Sequence, residues 1–157
     1  LEVQLKELGD EHATVADTYA KLGWMCGQDG QYDKAMEYQQ KSLSIRLKVY
    51  GGEDHVDVGH SHNQLGWVYY QKGKYEEALA MFEKSLSISL KKLGDDHPHV
   101  ANTYVNIGIL YETKLKKYNE ALDLYRKALK IMKAKLGDKH PNTKKTMRLI
   151  ARCKAKL

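Results

Sequence analysis

The 157-residue chain repeats itself at a period of 42 to 43 residues, with Gly23, Gly66 and Gly108 in register. Tyr32, Tyr75 and Tyr118 follow at matching places, and Ala35, Ala78 and Ala121 just after them. Self-similarity on this scale signals stacked units, each covering its neighbour, rather than one globular core. A tail closes every unit: LGDEH at Leu8–His12, YGGEDH at Tyr50–His55, LGDDHP at Leu93–Pro98 and LGDKHP at Leu136–Pro141. No repeat body precedes the first tail, so the chain is expected to open inside an earlier unit.

Within a unit the apolar spacing is helical. Ala16, Tyr19, Ala20, Gly23 and Cys26 recur every three to four residues, predicting a helix from Ala13 to about Gln28. The Asp29-Gly30 pair breaks it. A second helix is predicted from Tyr32 through Ala35, Tyr38, Ser42, Ile45 and Val49, ending at Gly51-Gly52. The middle copy offers Leu65, Gly66 and Tyr69, then Ala78, Phe82 and Leu86. The third offers Ile107, Gly108 and Tyr111, then Ala121, Tyr125 and Ala128. Its turn, ETKLKKY, is one residue longer than the others and is expected to bulge as a loop. Pro98 and Pro141 suit a first helical turn, where tail Asp or His side chains can cap unpaired amides. Leu1, Leu5 and Leu8 read as the end of a preceding helix, and Thr143–Leu157 as a closing helix with Met147, Ile150 and Ala151 on one side.

These elements define an all-α chain of three helical hairpins forming an α-α superhelix, plus a C-terminal capping helix. The expected divisions are 1–12 for the end of a preceding repeat, 13–55, 56–98 and 99–141 for the three repeats, and 142–157 for the cap.

Composition fits a folded, water-facing chain, 42% hydrophobic and 29% charged. No apolar run reaches the roughly 18 residues that span a bilayer, so no membrane contact is expected, and no signal pattern is present. Cys26 and Cys153 match no metal or redox spacing, and reduced thiols in the cytoplasm are the expectation. The net charge of +6 conceals an asymmetry. Residues 1–98 carry 11 Lys and Arg against 16 Asp and Glu, and residues 99–157 carry 15 against 4. The basic end favours acidic partners.

The repeats resemble the tetratricopeptide family, whose signature is W-x2-L-G-x2-Y followed by A-x3-F and a later proline. The middle copy matches with Leu65, Gly66, Tyr69, Ala78 and Phe82, and with His62 in the tryptophan position. The third matches with Ile107, Gly108, Tyr111, Ala121 and Tyr125. The first is looser, with Leu22, Gly23 and Ala35, but Cys26 for the tyrosine and Gln39 for the phenylalanine. Units longer than 34 residues that end in L-G-x-D/E-H-P resemble the kinesin light chain type.

A stack of this kind is expected to line an extended inner face with the first helix of each pair. Offset from the packing stripe there are Asp17, Lys21, Trp24 and Gln28; His60, Asn63, Gln64, Trp67, Tyr70 and Gln71; and Asn102, Val105, Asn106, Ile109 and Glu112. Lys145, Arg148 and Arg152 would extend it on the cap. Asn and Gln amides can pair with a peptide backbone, and large aromatics beside them suit an interaction hot spot. The expected function is therefore a peptide-binding scaffold. The kinesin light chain resemblance implies, as ligand, an acidic peptide with a tryptophan or tyrosine anchor. The two-carboxylate clamp of chaperone-binding relatives is not expected, because Ala20, Asn102 and Asn106 stand where it needs cations.

Chemistry of other kinds finds little support. His12, His55, His97 and His140 are tail residues suited to capping, and His60 and His62 point to different sides of one helix, so no metal site is expected. No phosphate loop, nucleophile elbow or paired carboxylate appears, so neither an enzyme nor a cofactor is expected. Two alternatives stay open: self-association through exposed repeat ends, and, as the lesser one, contact of the basic end with nucleic acid.

Overall fold

The computed structural model describes residues 11–157. The predicted helix end at Leu1–Leu8 lies outside the described residues, as does most of the first tail.

The described residues form seven α-helices and no strand: α1 (Ala13–Gln28), α2 (Tyr32–Val49), α3 (Val56–Gln71), α4 (Tyr75–Leu93), α5 (Pro98–Leu110), α6 (Tyr118–Leu136) and α7 (Pro141–Lys154). Two compact units divide within α4, one reaching Ile88 and the other running Ser89–Leu157. The N-terminal unit carries 9 Lys and Arg against 14 Asp and Glu, the C-terminal unit 17 against 6.

A glycine stands at the contact that closes each of the three hairpins. A Cβ added to Gly23 would lie 2.7 Å from Gln39 Nε2, one on Gly66 2.6 Å from Phe82 Cδ1, and one on Gly108 2.6 Å from Tyr125 Cε1. At Gly66 and Gly108 only glycine lets the paired helices approach this far, because an aromatic ring fills the space a Cβ would take, whereas at Gly23 that space holds the end of the flexible Gln39 side chain.

Each tail histidine starts a helix. The Nδ1 atoms of His12, His55, His97 and His140 accept the backbone N–H of Thr14, Asp57, His99 and Asn142 at 3.2, 3.2, 3.1 and 3.2 Å. Each ring thereby satisfies one of the unpaired amides of a first turn, the role usually given to Ser or Asp. Pro98 and Pro141 take the first helical positions of α5 and α7, where their missing N–H costs nothing.

The extra residue of the third hairpin does not bulge from a loop. The chain continues from α5 into a single π-helical turn, Tyr111–Leu115, and reverses at Lys116 in the left-handed conformation, φ 57°. Gly30 and Gly73, also two residues before the conserved-register tyrosine, make the corresponding reversals at φ 75° and 76°.

The two cores differ in chemistry. In the C-terminal unit Ala101, Val105, Ala121, Leu122, Tyr125, Ala128, Met132, Leu149 and Cys153 form one apolar cluster. The N-terminal unit buries Val15, Ala35, Val58, Leu65 and Phe82, but also Gln39, Ser42, Arg46, Ser61 and His62.

Candidate functional site

In the N-terminal unit the inner-helix residues form an aromatic and amide surface on α3. Trp67 is half-buried, with Tyr70 edge-on to it at 5.3 Å and Phe82 beneath it at 6.0 Å. Tyr70 in turn meets Tyr75 at 5.9 Å. One turn back, His60 and Gln64 approach with their nitrogens 3.5 Å apart, and Asn63 is half-buried beside them. Gln71 is exposed at the helix end. Packing on Phe82 fixes the Trp67 ring while part of it stays accessible, the condition for an anchor whose ordering cost is already met. On α1 the picture is plainer: Trp24 is 56% exposed beside the equally exposed Met25, and Lys21 and Gln28 are exposed.

Asp17 is drawn out of this set. Its carboxylate accepts from Arg46 Nη2 at 2.7 Å, while Arg46 Nη1 donates to Ser61 Oγ at 2.8 Å and to the Asp57 carbonyl at 3.0 Å. The buried guanidinium ties α1, α2 and α3 together. The periodicity that selected Ile45 and Val49 missed it. Alignment of the copies held the signal: Arg46 follows Gln39 by seven residues, as Ser89 follows Phe82 and Met132 follows Tyr125.

In the C-terminal unit Asn102 and Ile109 are half-buried on α5, and Asn106 is nearly enclosed. Val105 and Glu112, expected on the same wall, are not there. Val105 belongs to the apolar cluster. Glu112 lies in the π-turn with a fully enclosed side chain.

Glu112 accepts two hydrogen bonds from Arg152, from Nε and Nη2, each 2.8 Å, one from Lys156 Nζ at 3.0 Å and one from the Tyr125 hydroxyl at 2.9 Å. Burial alone would raise this carboxyl; the bonds from Arg152, Lys156 and Tyr125 outweigh it and hold the group at about 2. Burial, then the bond to Glu112, drive the Tyr125 phenol upward. The Arg152 fork, expected to await a ligand, is engaged by this carboxylate, whereas Lys145 and Arg148 project into solvent. The extra residue and a partner 40 positions away create the arrangement, so no local pattern announces it.

Among the described residues no group of three or more His, Cys, Asp and Glu could hold a metal ion, and no helix is long and apolar enough to cross a membrane. His62, in the signature tryptophan position, is 3% exposed, with no hydrogen-bond partner on either ring nitrogen and Glu53 Oε1 4.0 Å from Nε2.

The tetratricopeptide repeat model matches residues 1–48, 30–91, 68–134 and 112–157. The chain belongs to the tetratricopeptide repeat family. Comparison with curated proteins returned no match. Among solved structures, BtubC (BKLC) from P. vanneervenii superimposes with a TM-score of 0.83 at 23% identity, over 98% of this chain and 61% of that one. This tetratricopeptide chain therefore spans about three-fifths of that protein. The kinesin light chain-like repeats of Podosopora anserina give a TM-score of 0.81 at 22% identity, over 92% and 68% of the two chains. The Yersinia enterocolitica type III secretion translocator chaperone SycD gives 0.67 at 16% identity, over 99% and 92%. At these identities the likeness concerns the fold. One of these neighbours is described as kinesin light chain repeats, the type that the long units and their histidine tails resemble.

Proposed function

We propose that the chain is a cytoplasmic protein-interaction scaffold that takes an extended peptide or partner segment along the first helices of its hairpins. The observation that carries this reading is the α3 surface, where Trp67, propped on Phe82, stands among Tyr70, His60, Asn63 and Gln64. An aromatic held in place loses little entropy when a partner covers it, and neighbouring amides offer both donors and acceptors to a peptide backbone. The family consists generally of non-enzymatic scaffolds, and one structural neighbour is described as a chaperone, which supports a protein as partner. The excess of cations in the C-terminal unit favours an acidic partner there, and the aromatic cluster of the N-terminal unit favours a partner with an aromatic anchor.

A peptide-display selection on the chain tests this directly, with Trp67→Ala and Gln64→Ala run in parallel and circular dichroism confirming that both fold. Enrichment of acidic, aromatic-centred peptides that both substitutions abolish supports the assignment. Enrichment indifferent to both would remove the groove and leave self-association as the better account.

A further inference from the structure

The turn between α5 and α6 departs from its two counterparts in three ways at once. It contains the π-turn, it buries a carboxylate, and it reverses on lysine where the others use glycine. A left-handed lysine is strained by its Cβ, and glycine would relieve that strain. Strain retained at one copy of a repeat, with the unstrained solution present at the other two, points to a use for the lysine side chain. π-Turns gather at functional places for a related reason: they are local distortions that the rest of the fold must support.

The cations around this turn are held in position. Lys117 Nζ stands 5.5 Å over the ring of Tyr111, and Lys156 Nζ 5.9 Å over the ring of Tyr118. Arg152 from α7 and Lys156 from the turn after it reach the same place through Glu112. Arg152 and Lys156 thus neutralise the enclosed carboxylate, Lys114, Lys116 and Lys117 follow it along the turn, and Glu120 in the first turn of α6 is the next acid along the chain. Leu115, 38% exposed, lies in the middle of the lysines.

We propose that this hairpin edge, Lys114 to Lys117 with Lys156 beside it, is a docking surface for an acidic protein segment. Several carboxylates match this run of lysines, two of which, Lys117 and Lys156, are held over tyrosine rings, and an apolar side chain of the same segment can cover Leu115. Nucleic acid fits less well, because a lysine already stands over one face of each nearby tyrosine, Tyr111 and Tyr118. The surface lies in the C-terminal unit alone and does not depend on the aromatic face of α3.

The lysine at a glycine position gives the test its sign. A fluorescein-labelled oligo-glutamate peptide containing one leucine is titrated by anisotropy against wild type, Lys116→Gly, Lys117→Glu and Lys139→Glu, the last an exposed lysine elsewhere in the unit. Urea denaturation is followed for each. Lys116→Gly is expected to raise the unfolding midpoint while weakening the probe about two- to five-fold, the range of one exposed ion pair. Lys117→Glu is expected to weaken it further, and Lys139→Glu to change it less than two-fold. The proposal is overturned if Lys116→Gly binds as wild type or gains no stability, or if Lys139→Glu weakens binding as much as Lys117→Glu. Tighter binding of a single-stranded oligonucleotide of equal charge, or of phosphatidylserine vesicles, would also overturn it.

Discussion

Arg46 in the N-terminal unit and Glu112 in the C-terminal unit do comparable work: each is a buried charge near a helix end that joins three segments of its unit. Their surroundings differ. Arg46 has one carboxylate, Asp17, itself largely in water, and otherwise neutral oxygens. Glu112 is saturated by two cations and a phenol. The difference extends through the cores. Gln39 faces Gly23 with its Oε1 unpartnered, and the Ser42 hydroxyl and both His62 nitrogens are likewise unpartnered, whereas Tyr125 faces Gly108 and spends its hydroxyl on Glu112. The same backbone plan thus tolerates a glutamine at the glycine contact of the first hairpin and a tyrosine tied to a buried carboxylate at that of the third. Of the buried side-chain atoms without a partner in the described residues more lie in the N-terminal unit, Thr143 Oγ1 being one in the C-terminal unit. Buried polar atoms without partners cost stability, so the N-terminal unit is expected to open first.

Tyr125→Ala should break the comparison most severely. It empties the centre of the C-terminal cluster and strips a bond from Glu112, for a loss of about 3–5 kcal/mol. Gln39→Ala, at the equivalent place, should cost about 1–2 kcal/mol. Equal losses in urea denaturation would mean that the two fillings are energetically alike.

Glu112→Gln should cost about 1–3 kcal/mol, the lower part of the range reflecting the half-exposed cations. Its pH signature is more specific. The folded-state carboxyl lies below its ordinary value of 4.5, so the stability it confers is complete above that pH and is lost as pH falls toward about 2. Acid unfolding of Glu112→Gln should accordingly be flatter across this window than that of wild type.

His62 behaves in the opposite unit as an uncompensated group. Burial lowers its proton affinity, with Lys84 in the same direction and Glu53 opposing. The folded value is below the ordinary imidazole range near 6.5, so stability is full above it and falls as the pH drops beneath it. His62→Phe should remove part of that slope between about pH 7 and 5 and gain about 1 kcal/mol at the acidic end. Thermal unfolding across that range decides the matter; an unchanged slope would mean the ring finds water on protonation. The smallest effect is constructive. Gln39→Phe, which gives the first hairpin the residue of the second, should stabilise by about 0.5–1 kcal/mol, read as a shift of the first unfolding transition.

Much of the architecture was legible because it is local and repeated. The bounds of α1 and the start of α2 follow from spacing and from Asp29-Gly30, and the glycine–aromatic contacts of the second and third hairpins follow from copies of one pattern. Arg46 escaped because periodicity assigns a long cation to the solvent side, and its burial depends on oxygens from two other helices. Glu112 and Arg152 escaped for a related reason. Each looked like a wall residue on its own helix, and the π-turn that brings them together is visible in the sequence only as one surplus residue. Trp67 was expected on the inner helix; its support by Phe82 required the hairpin.

The histidine caps carry a consequence at the level of single protons. A neutral imidazole has one nitrogen that donates and one that accepts, and here the backbone fixes which is which. With Nδ1 of His12, His55, His97 and His140 accepting an amide, the ring hydrogen of the neutral form belongs on Nε2 in all four. The chain therefore repeats a tautomer along with its sequence, and nitrogen chemical shifts of the four rings should report one common form where free imidazole would report a mixture.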